Sequence, residues 1–197
     1  MTTYSKKNAS RNKVRIIAGK WRSRLLPFTG DVETLRPTPD RVRETVFNWL
    51  QNKIAGARCL DLFAGSGALA FEACSRQAAS VTAIDNSQEV VAMMKDNCQL
   101  LDCQNMDVVH ADSIAWLKKN TDIEPFDIVF LDPPYSLDLL ADCCRLIESA
   151  SLVKPGSIIY LESNSLLENL QLPATWKWLK AKKAGQVYFG VCERIFL

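Results

Sequence analysis

The chain has 197 residues, of which 48% are hydrophobic and 23% are charged, which is typical of one folded domain and excludes a disordered chain. The formal net charge is only +2, but residues 1–30 hold eight Lys or Arg and no acid, whereas the remaining 16 bases accompany all 22 acids. A basic amino-terminal arm therefore precedes an acidic body, which favours an anionic partner.

Cysteine and histidine usage excludes several classes of protein. The seven cysteines include the adjacent pair Cys143 and Cys144 and no CxxC spacing, so we expect reduced thiols, no bound metal and a cytoplasmic location. No run approaches the about 18 apolar residues of a membrane helix, and no signal peptide is visible, so we expect no membrane contact. The single histidine, His110, makes Ser/His/Asp hydrolase chemistry a poor match.

Three regions are expected along the chain. Residues 1–12 are polar and basic and predict a flexible tail. Residues 13–36 contain two short β-like runs around Gly19 and Lys20, which predict a basic β-hairpin extension. Residues 37–197 are expected to form one α/β domain.

A helix opens this domain, and strands and helices then alternate. Thr38 is its expected cap, Pro39 its first residue, and apolar residues at helical spacing continue to Leu50. The alternation that follows is typical of a parallel sheet covered by helices on both faces. Strands are predicted at about 58–63, 80–85, 106–111, 126–132 and 157–162, and helices near 67–78, 88–101, 113–119 and 136–150.

The last segment, TWKWLKAKKAGQVYFGVCERIFL, breaks this alternation. It predicts two antiparallel strands around Ala184 and Gly185 that extend one edge of the sheet. We therefore predict an α/β Rossmann-like fold with a seven-stranded, mostly parallel sheet and a carboxyl-terminal antiparallel hairpin.

The motif LDLFAGSGALAFEA ends a strand in an acid and opens a helix through a glycine turn, where backbone N–H groups can face a ligand. The spacing also matches a dinucleotide fingerprint and ordinary strand-to-helix turns. An acid four residues before Gly65 would repel a pyrophosphate, but it can orient a cationic amino group such as that of S-adenosylmethionine. The candidate cofactor contacts here are Asp61, Phe63, Ala64, Gly65 and Gly67.

Acids also end the next two predicted strands. Asp85 can accept both ribose hydroxyls of a nucleoside, although an Asp before a helix is also an ordinary cap. Asp112 can accept from an adenine amino group, and the same alternative applies to it. The candidate contacts in these two turns are Asp85, Asn86, Asp112 and Ser113.

The motif FDIVFLDPPYS carries Asp132, Pro133, Pro134 and Tyr135, the candidate catalytic residues, to the end of a strand where open α/β sheets bind ligands. Proline makes the turn rigid and leaves its carbonyls free. Asp132 and the Pro133 carbonyl can each accept an N–H of an exocyclic amine while Tyr135 stacks on the base. Asp and Pro also occur in plain turns, but four such features in one register favour a site.

These motifs resemble the class I methyltransferases that use S-adenosyl-L-methionine and modify exocyclic amines. RIIAGKWRSRLL, LRPTPDRVRETVFNWL, LDLFAGSGALAFEA and FLDPPY together resemble the RsmD family, the bacterial guanine N2-methyltransferases of small-subunit (16S) ribosomal RNA. The resemblance covers residues 14 to about 197. It implies that residues 37–197 are the methyltransferase domain and that the substrate is a partly assembled 30S particle. It places the cofactor around Asp61, Gly65, Gly67, Asp85 and Asp112, and the guanine at residues 132–135.

The bases of the arm and the first helix are candidate RNA contacts, because their segregation from the acidic body favours phosphate binding over a merely solvated face. Trp21 can stack on a base or pack the hairpin onto the domain. The set comprises Arg15, Lys20, Trp21, Arg22, Arg24, Arg36, Arg41 and Arg43.

We expect direct methyl transfer without a covalent enzyme intermediate, with Cys143 and Cys144 packed in the core and His110 structural. Three alternatives share parts of the pattern: a DNA N6-adenine methyltransferase, a nicotinamide-dependent oxidoreductase and a non-catalytic RNA-binding assembly factor. No separate region for reading duplex DNA is evident, so DNA is not the expected partner. The size of the chain predicts a monomer.

Overall fold

The computed structural model describes residues 12–28, 38–134 and 139–196. Strands β1 (Asn12–Arg15) and β2 (Leu25–Phe28) pair antiparallel and form the predicted hairpin. Its apolar side chains, among them Leu26 and Phe28, are buried in the same core as the first three helices. The hairpin is therefore packed onto the body. The predicted tail lies outside the described residues except for Asn12.

A seven-stranded sheet forms the centre of the molecule, in the order β5-β4-β3-β6-β7-β9-β8. Strands β3 to β7 are parallel, and β9 is antiparallel to both of its neighbours. The prediction of a mostly parallel sheet that ends in a hairpin is confirmed. The last strand in sequence, β9, lies between β7 and β8, so β8 forms the edge of the sheet. The strands are β3 (Arg58–Asp61), β4 (Ser80–Asp85), β5 (Met106–His110), β6 (Phe126–Leu131), β7 (Val153–Ser163), β8 (Trp176–Ala184) and β9 (Val187–Arg194).

Helices cover both faces of the sheet. The first three pack with the amino-terminal hairpin on one face, and the other two pack on the opposite face, where Cys143 and Cys144 are fully buried as predicted. In the described parts of the chain, no helix is long and apolar enough to cross a bilayer. The helices are α1 (Asp40–Trp49), α2 (Ala68–Ser75), α3 (Gln88–Leu101), α4 (Ser113–Lys119) and α5 (Leu140–Ser149), followed by a short 3-10 helix (Leu167–Asn169).

Helix α2 is buried along its whole length, and the residue before it, Gly67, has a left-handed backbone conformation. Gly67 has φ of +75°, and a Cβ there would lie 2.7 Å from ring carbons of Phe71. Both the backbone conformation and the close ring require glycine. This tight start brings the first turn of α2 directly against the ends of β3 and β4.

The predicted cap of α1 is wrong. Pro39 occupies the cap position and no side chain caps the helix, because the hydroxyl of Thr38 donates instead to Asp132, 94 residues away. The segment before α1 is thereby joined to the end of β6 rather than to its own helix.

Candidate active site

The carboxyl ends of three neighbouring strands form one edge that gathers the predicted acids. Asp61 ends β3, Asp85 ends β4, and Asp132 directly follows β6. Because β3 lies between β4 and β6 and all three are parallel, the glycine turn lies beside the Asp132 turn. This is the ligand-binding edge of open α/β sheets.

The carboxylate of Asp61 is buried at the end of β3. Its side chain is 1% exposed, and neither oxygen has a hydrogen-bond partner among the described residues. Burial raises the pKa of Asp61 to about 7 and the nearby charge of Asp85 adds to the increase, while the backbone N–H groups of Phe63 and Ala70 oppose it without reaching hydrogen-bond geometry. A cationic ligand group beside Asp61 would relieve this cost, as the sequence predicts.

Asp85 ties the glycine turn to the end of β4. Its Oδ2 accepts from the N–H of Gly65 at 2.9 Å and its Oδ1 from the N–H of Ser87 at 2.8 Å. Ser87, and not Asp85, caps α3 by accepting from the N–H of Val90. Each carboxylate oxygen can accept a second bond, so Asp85 remains available to a ribose.

In the turn after β5, both candidate side chains make hydrogen bonds to the backbone. Asp112 caps α4 by accepting from the N–H of Ala115 at 2.8 Å, and the exposed carboxyl group keeps further acceptor capacity. The hydroxyl of Ser113 donates to the carbonyl of Leu62 at 2.7 Å and is buried. Ser113 therefore joins α4 to the residue that follows β3, and its predicted contact with the cofactor stays a prediction.

Three other predicted cofactor residues lie around the same turns. Phe63 is half-buried, and Asn86 is exposed. Ala64 is buried, with its N–H donated to the carbonyl of Ile84 at 2.9 Å. His110 Nε2 lies 3.0 Å from the Asn86 carbonyl, which agrees with the predicted structural role.

Asp132 lies in a group of carboxylates. Burial raises its pKa well above the usual range, the charges of Glu162 and Asp61 add to this, and the hydrogen bond from Thr38 at 3.0 Å opposes it. Glu162 is 2% exposed near the end of β7 and accepts from the hydroxyl of Tyr160. Donor groups of a ligand would relieve the crowding of negative charge at this edge.

The residues after Asp132 form the predicted turn in part. Pro133 is buried and Pro134 is exposed. Within the described residues, no group donates to the Pro133 carbonyl. Tyr135 lies outside the described residues.

Thr38 and Glu162 belong to this edge but were not predicted as site residues. Glu162 follows the apolar run IIYL, so it repeats the pattern of a strand that ends in an acid, which marks Asp61 and Asp132. That signal was available in the sequence. Thr38 gives no comparable signal, because its contact with Asp132 depends on the folded path of the chain.

Two predicted RNA contacts, Arg43 and Trp21, are buried, which argues against direct contact with RNA. Arg43 is 1% exposed, and its guanidinium donates to Asp40 at 2.6 Å and to the Thr38 carbonyl at 3.2 Å. It therefore braces the start of α1. Trp21 is 8% exposed and lies in the apolar core, so it packs the hairpin onto the body.

Arg15, Lys20 and Arg22 are exposed and lie at different places on the surface. Lys20 and Arg22 lie in the hairpin turn, where the Lys20 N–H donates to the carbonyl of Ser75 at the far end of α2. Since α2 has eight residues, this turn is about 12 Å along the helix from the glycine turn. Arg15, paired with Asp40, lies closer to the segment that contacts Asp132.

Arg24 and Arg41 are also exposed, and Arg36 lies outside the described residues. The exposed members of the predicted set remain candidates for contact with RNA. Among the described residues, no group of three or more His, Cys, Asp or Glu is placed to hold a metal ion. The expectation of a metal-free enzyme stays a prediction.

The residues present fit S-adenosylmethionine, because a buried unpartnered carboxylate lies beside a glycine turn with a strand-end acid next to it. The fold and this edge define a class I S-adenosylmethionine-dependent methyltransferase. Comparison with known proteins gives the family. Residues 14–193 match the family model described as "Conserved hypothetical protein 95".

Named relatives cover nearly the whole chain. The Haemophilus influenzae protein named Ribosomal RNA small subunit methyltransferase D is 42% identical over 186 residues, 93% of this chain and 95% of that protein. The Escherichia coli protein of the same name is 42% identical over 183 residues, 92% of this chain and 90% of that protein. The solved structure of Escherichia coli yhhF has a TM-score of 0.83 and 39% identity, covering 93% of this chain and 99% of that one.

The chain belongs to this family, whose members include Ribosomal RNA small subunit methyltransferase D. The predicted family, fold class and methyltransferase activity are confirmed. The DNA adenine methyltransferase, the oxidoreductase and the non-catalytic assembly factor find no support in these relatives.

Proposed function

We propose that this enzyme transfers the methyl group of S-adenosylmethionine to the exocyclic N2 amine of a guanine in small-subunit (16S) ribosomal RNA. One observation carries the proposal: a buried carboxylate without a partner, Asp61, and the acceptors Asp132 and Pro133 lie on adjacent strand ends. The names of the relatives support ribosomal RNA of the small subunit as the substrate. We further propose that the substrate is an assembled or partly assembled 30S particle, modified in the cytoplasm by a monomer.

The cofactor is assigned to the edge formed by β3, β4 and the start of α4. Asp61 suits the amino group of the methionine part, Asp85 the ribose hydroxyls, and Asp112 the adenine amine. When bound, S-adenosylmethionine supplies a methyl group on a cationic sulfur, which passes to the amine nitrogen and leaves S-adenosyl-L-homocysteine as product.

The chain contributes chiefly by holding and orienting the amine. Asp132 and the Pro133 carbonyl each accept one N–H, which directs the nitrogen lone pair towards the end of β3. Such alignment of two reactants can supply roughly 7 to 11 kcal/mol of the barrier. Because the pKa of Asp132 is raised, its carboxylate is also suited to receive the proton that the nitrogen loses.

The guanine must leave its base stack to reach Asp132, at a cost of a few kcal/mol. The exposed bases Arg15 and Arg41 lie beside the segment that contacts Asp132 and suit the phosphates on either side of the extruded nucleotide. In this proposal Tyr135 supplies the stacking face for the base.

The proposal is tested with labelled S-adenosylmethionine and 30S particles from cells that lack the modification. Digestion of the RNA and mass spectrometry of the nucleosides should identify N2-methylguanosine, with naked 16S RNA a poorer substrate than the particle. Methylated adenosine, or transfer to duplex DNA instead, would contradict it.

The role of Asp132 is tested in the same assay. Asp132→Ala should lower kcat at least a hundredfold and leave the Kd for S-adenosylmethionine within about threefold, since Asp132 holds the amine and not the cofactor. Asp142→Ala, at an exposed site on α5, is the matched control. Methylation by Asp132→Ala at the unmodified rate would remove Asp132 from the mechanism.

A further inference from the structure

Strand β8 forms one edge of the sheet and carries a row of exposed lysines. The chain from residue 169 to residue 192 contains four lysines and no acid. None of the four ammonium groups lies within 4.0 Å of a carboxylate in the described parts of the chain. The members of this β8 lysine row are Lys177, Lys180, Lys182 and Lys183.

An aromatic surface lies beneath two of these lysines. The ammonium groups of Lys180 and Lys182 lie 5.9 and 5.8 Å from the ring of Trp49, which is half-buried at the end of α1. The ring of Trp49 stacks on Phe189 with centroids 5.6 Å apart. The contact with this packed ring therefore restricts the movement of the two ammonium groups.

The register of the sheet places this surface level with the active site. Leu131 of β6 pairs with Leu161, which pairs with Gly190 of β9, which pairs with Ala181 of β8. The next residue along the parallel strands is Asp132 after β6 and Lys182 in β8. Three strand spacings separate them, which is about 14 Å.

Lysines on an edge strand also discourage pairing with another sheet, so their number alone assigns no ligand. Two further observations favour a binding role for these lysines: they lie level with Asp132, and the ring of Trp49 supports two of them. At about 3.4 Å per phosphate along a stacked strand, 14 Å is about four nucleotides. A nucleic acid strand that delivers its base to Asp132 and runs along this edge of the sheet towards β8 would thus reach the β8 lysine row.

We propose that the β8 lysine row, with Lys180 and Lys182 at its centre, is a second RNA-contact surface that binds the phosphodiester backbone a few nucleotides from the target guanine. The inference rests on the proposed function, and it adds a contact region distant in sequence from the basic amino-terminal arm. Phosphate contacts of this kind supply affinity and orientation without reading sequence. The cofactor and the amine are bound elsewhere, so this surface should affect substrate binding alone.

The test compares the full-length parent with Lys180→Ala/Lys182→Ala, using undermodified 30S particles. Loss of two phosphate contacts should reduce the slope of log K against log salt concentration by roughly 1.4 to 1.8 and raise the KM for the particle severalfold. The Kd for S-adenosylmethionine and kcat at saturation should stay within twofold. Lys118→Ala/Lys119→Ala, which removes two exposed charges from the end of α4, is the control and should leave the slope unchanged.

Two further results decide between the possible roles of the row. Lys180→Arg/Lys182→Arg should keep the parent slope, because the charge is kept. If the Ala variant self-associates on size exclusion while its salt slope and KM match the parent, the row only protects the sheet edge and the inference fails. A parent that methylates no guanine in the particle would instead overturn the proposed function, and this inference with it.

Discussion

The carboxyl group of Asp61 makes the free protein less stable than its packing alone would allow. With a folded-state pKa of about 7 against an ordinary value of 3.8, Asp61 keeps its proton in the folded state over a range where the unfolded chain has lost it. Its contribution to stability therefore falls as pH rises from about 4 to about 7, and it levels off above that. In the proposed function, the cationic amino group of S-adenosylmethionine offsets this cost when it binds beside Asp61.

A pH dependence of cofactor binding follows from Asp61. Because the cationic ligand favours the charged carboxylate, the affinity for S-adenosylmethionine should rise by up to tenfold per pH unit below about 7 and then become constant. Calorimetry at pH 6 in two buffers of different ionisation enthalpy should show release of a proton on binding. Asp61→Asn should weaken binding and abolish both effects, and a proton release that persists in this variant would contradict the assignment.

The hydroxyl of Thr38 is the one described side-chain donor to Asp132, and its removal should be felt in catalysis. Thr38→Val keeps the shape but loses a hydrogen bond to a charged group, worth about 1.5 to 3 kcal/mol. We expect kcat to fall roughly tenfold to a hundredfold, with the Kd for S-adenosylmethionine unchanged. Steady-state kinetics on 30S particles measure this effect.

Thr38→Ser is the matched variant, because it keeps the hydroxyl group and should restore most of the rate. If Thr38→Ser were as slow as Thr38→Val, the methyl packing of Thr38, and not its hydrogen bond, would be what Asp132 requires.

For individual residues, the sequence predicts where the acids of the site lie better than it predicts the side chains that contact them. Asp61, Asp85 and Asp132 each end an apolar strand, and parallel strands bring such ends together, so their grouping follows from local pattern and topology. The burial of Arg43 and the contact of Thr38 depend on how the chain folds back between distant segments. No local periodicity encodes such contacts.

At the scale of elements, α2 organises both the site and the amino-terminal hairpin. Its first turn adjoins the glycine turn, and its Glu72 is fully buried beneath the hairpin. Glu72 accepts from the backbone N–H groups of Ile17 at 2.7 Å and Ala18 at 3.1 Å, and from Arg76 at 2.7 Å. A buried carboxylate with these donors fixes the hairpin to the body.

Removal of this anchor should destabilise the protein. Glu72→Ala leaves several buried donors without an acceptor and should reduce the free energy of unfolding by about 3 to 5 kcal/mol, as for a broken buried ion pair. Urea titration followed by circular dichroism measures the loss. Glu124→Ala, at an exposed loop position, should change it by less than about 0.5 kcal/mol.

A loss below about 1 kcal/mol in Glu72→Ala would show that apolar packing alone holds the hairpin. The sequence predicts the hairpin but not its contact with Glu72. A single acid in the apolar run LAFEAC does not indicate which distant segment it will bind. The element order, by contrast, follows from the alternation of short strands and helices, and the predicted carboxyl-terminal hairpin is present.

At the scale of the whole molecule, charge and topology point to the same edge. The acids of β3, β4 and β6 meet there, the exposed Arg41 of α1 follows the segment that contacts Asp132, and the lysines of β8 lie about 14 Å from Asp132 across the sheet. The amino-terminal excess of bases was evident from the sequence. The basic surface of β8 was not, because its meaning depends on the register that brings Lys182 level with Asp132.

In the proposed function, the methyl donor and the acceptor nitrogen meet where β3 and β6 end. A cryo-electron microscopy structure of the protein with S-adenosylhomocysteine on an undermodified 30S particle tests it most directly. The amino group of the ligand should lie beside Asp61, and an extruded guanine should place its N2 within hydrogen-bond distance of Asp132 and the Pro133 carbonyl. A ligand bound at another edge of the sheet, or a different base beside Asp132, would contradict the claim.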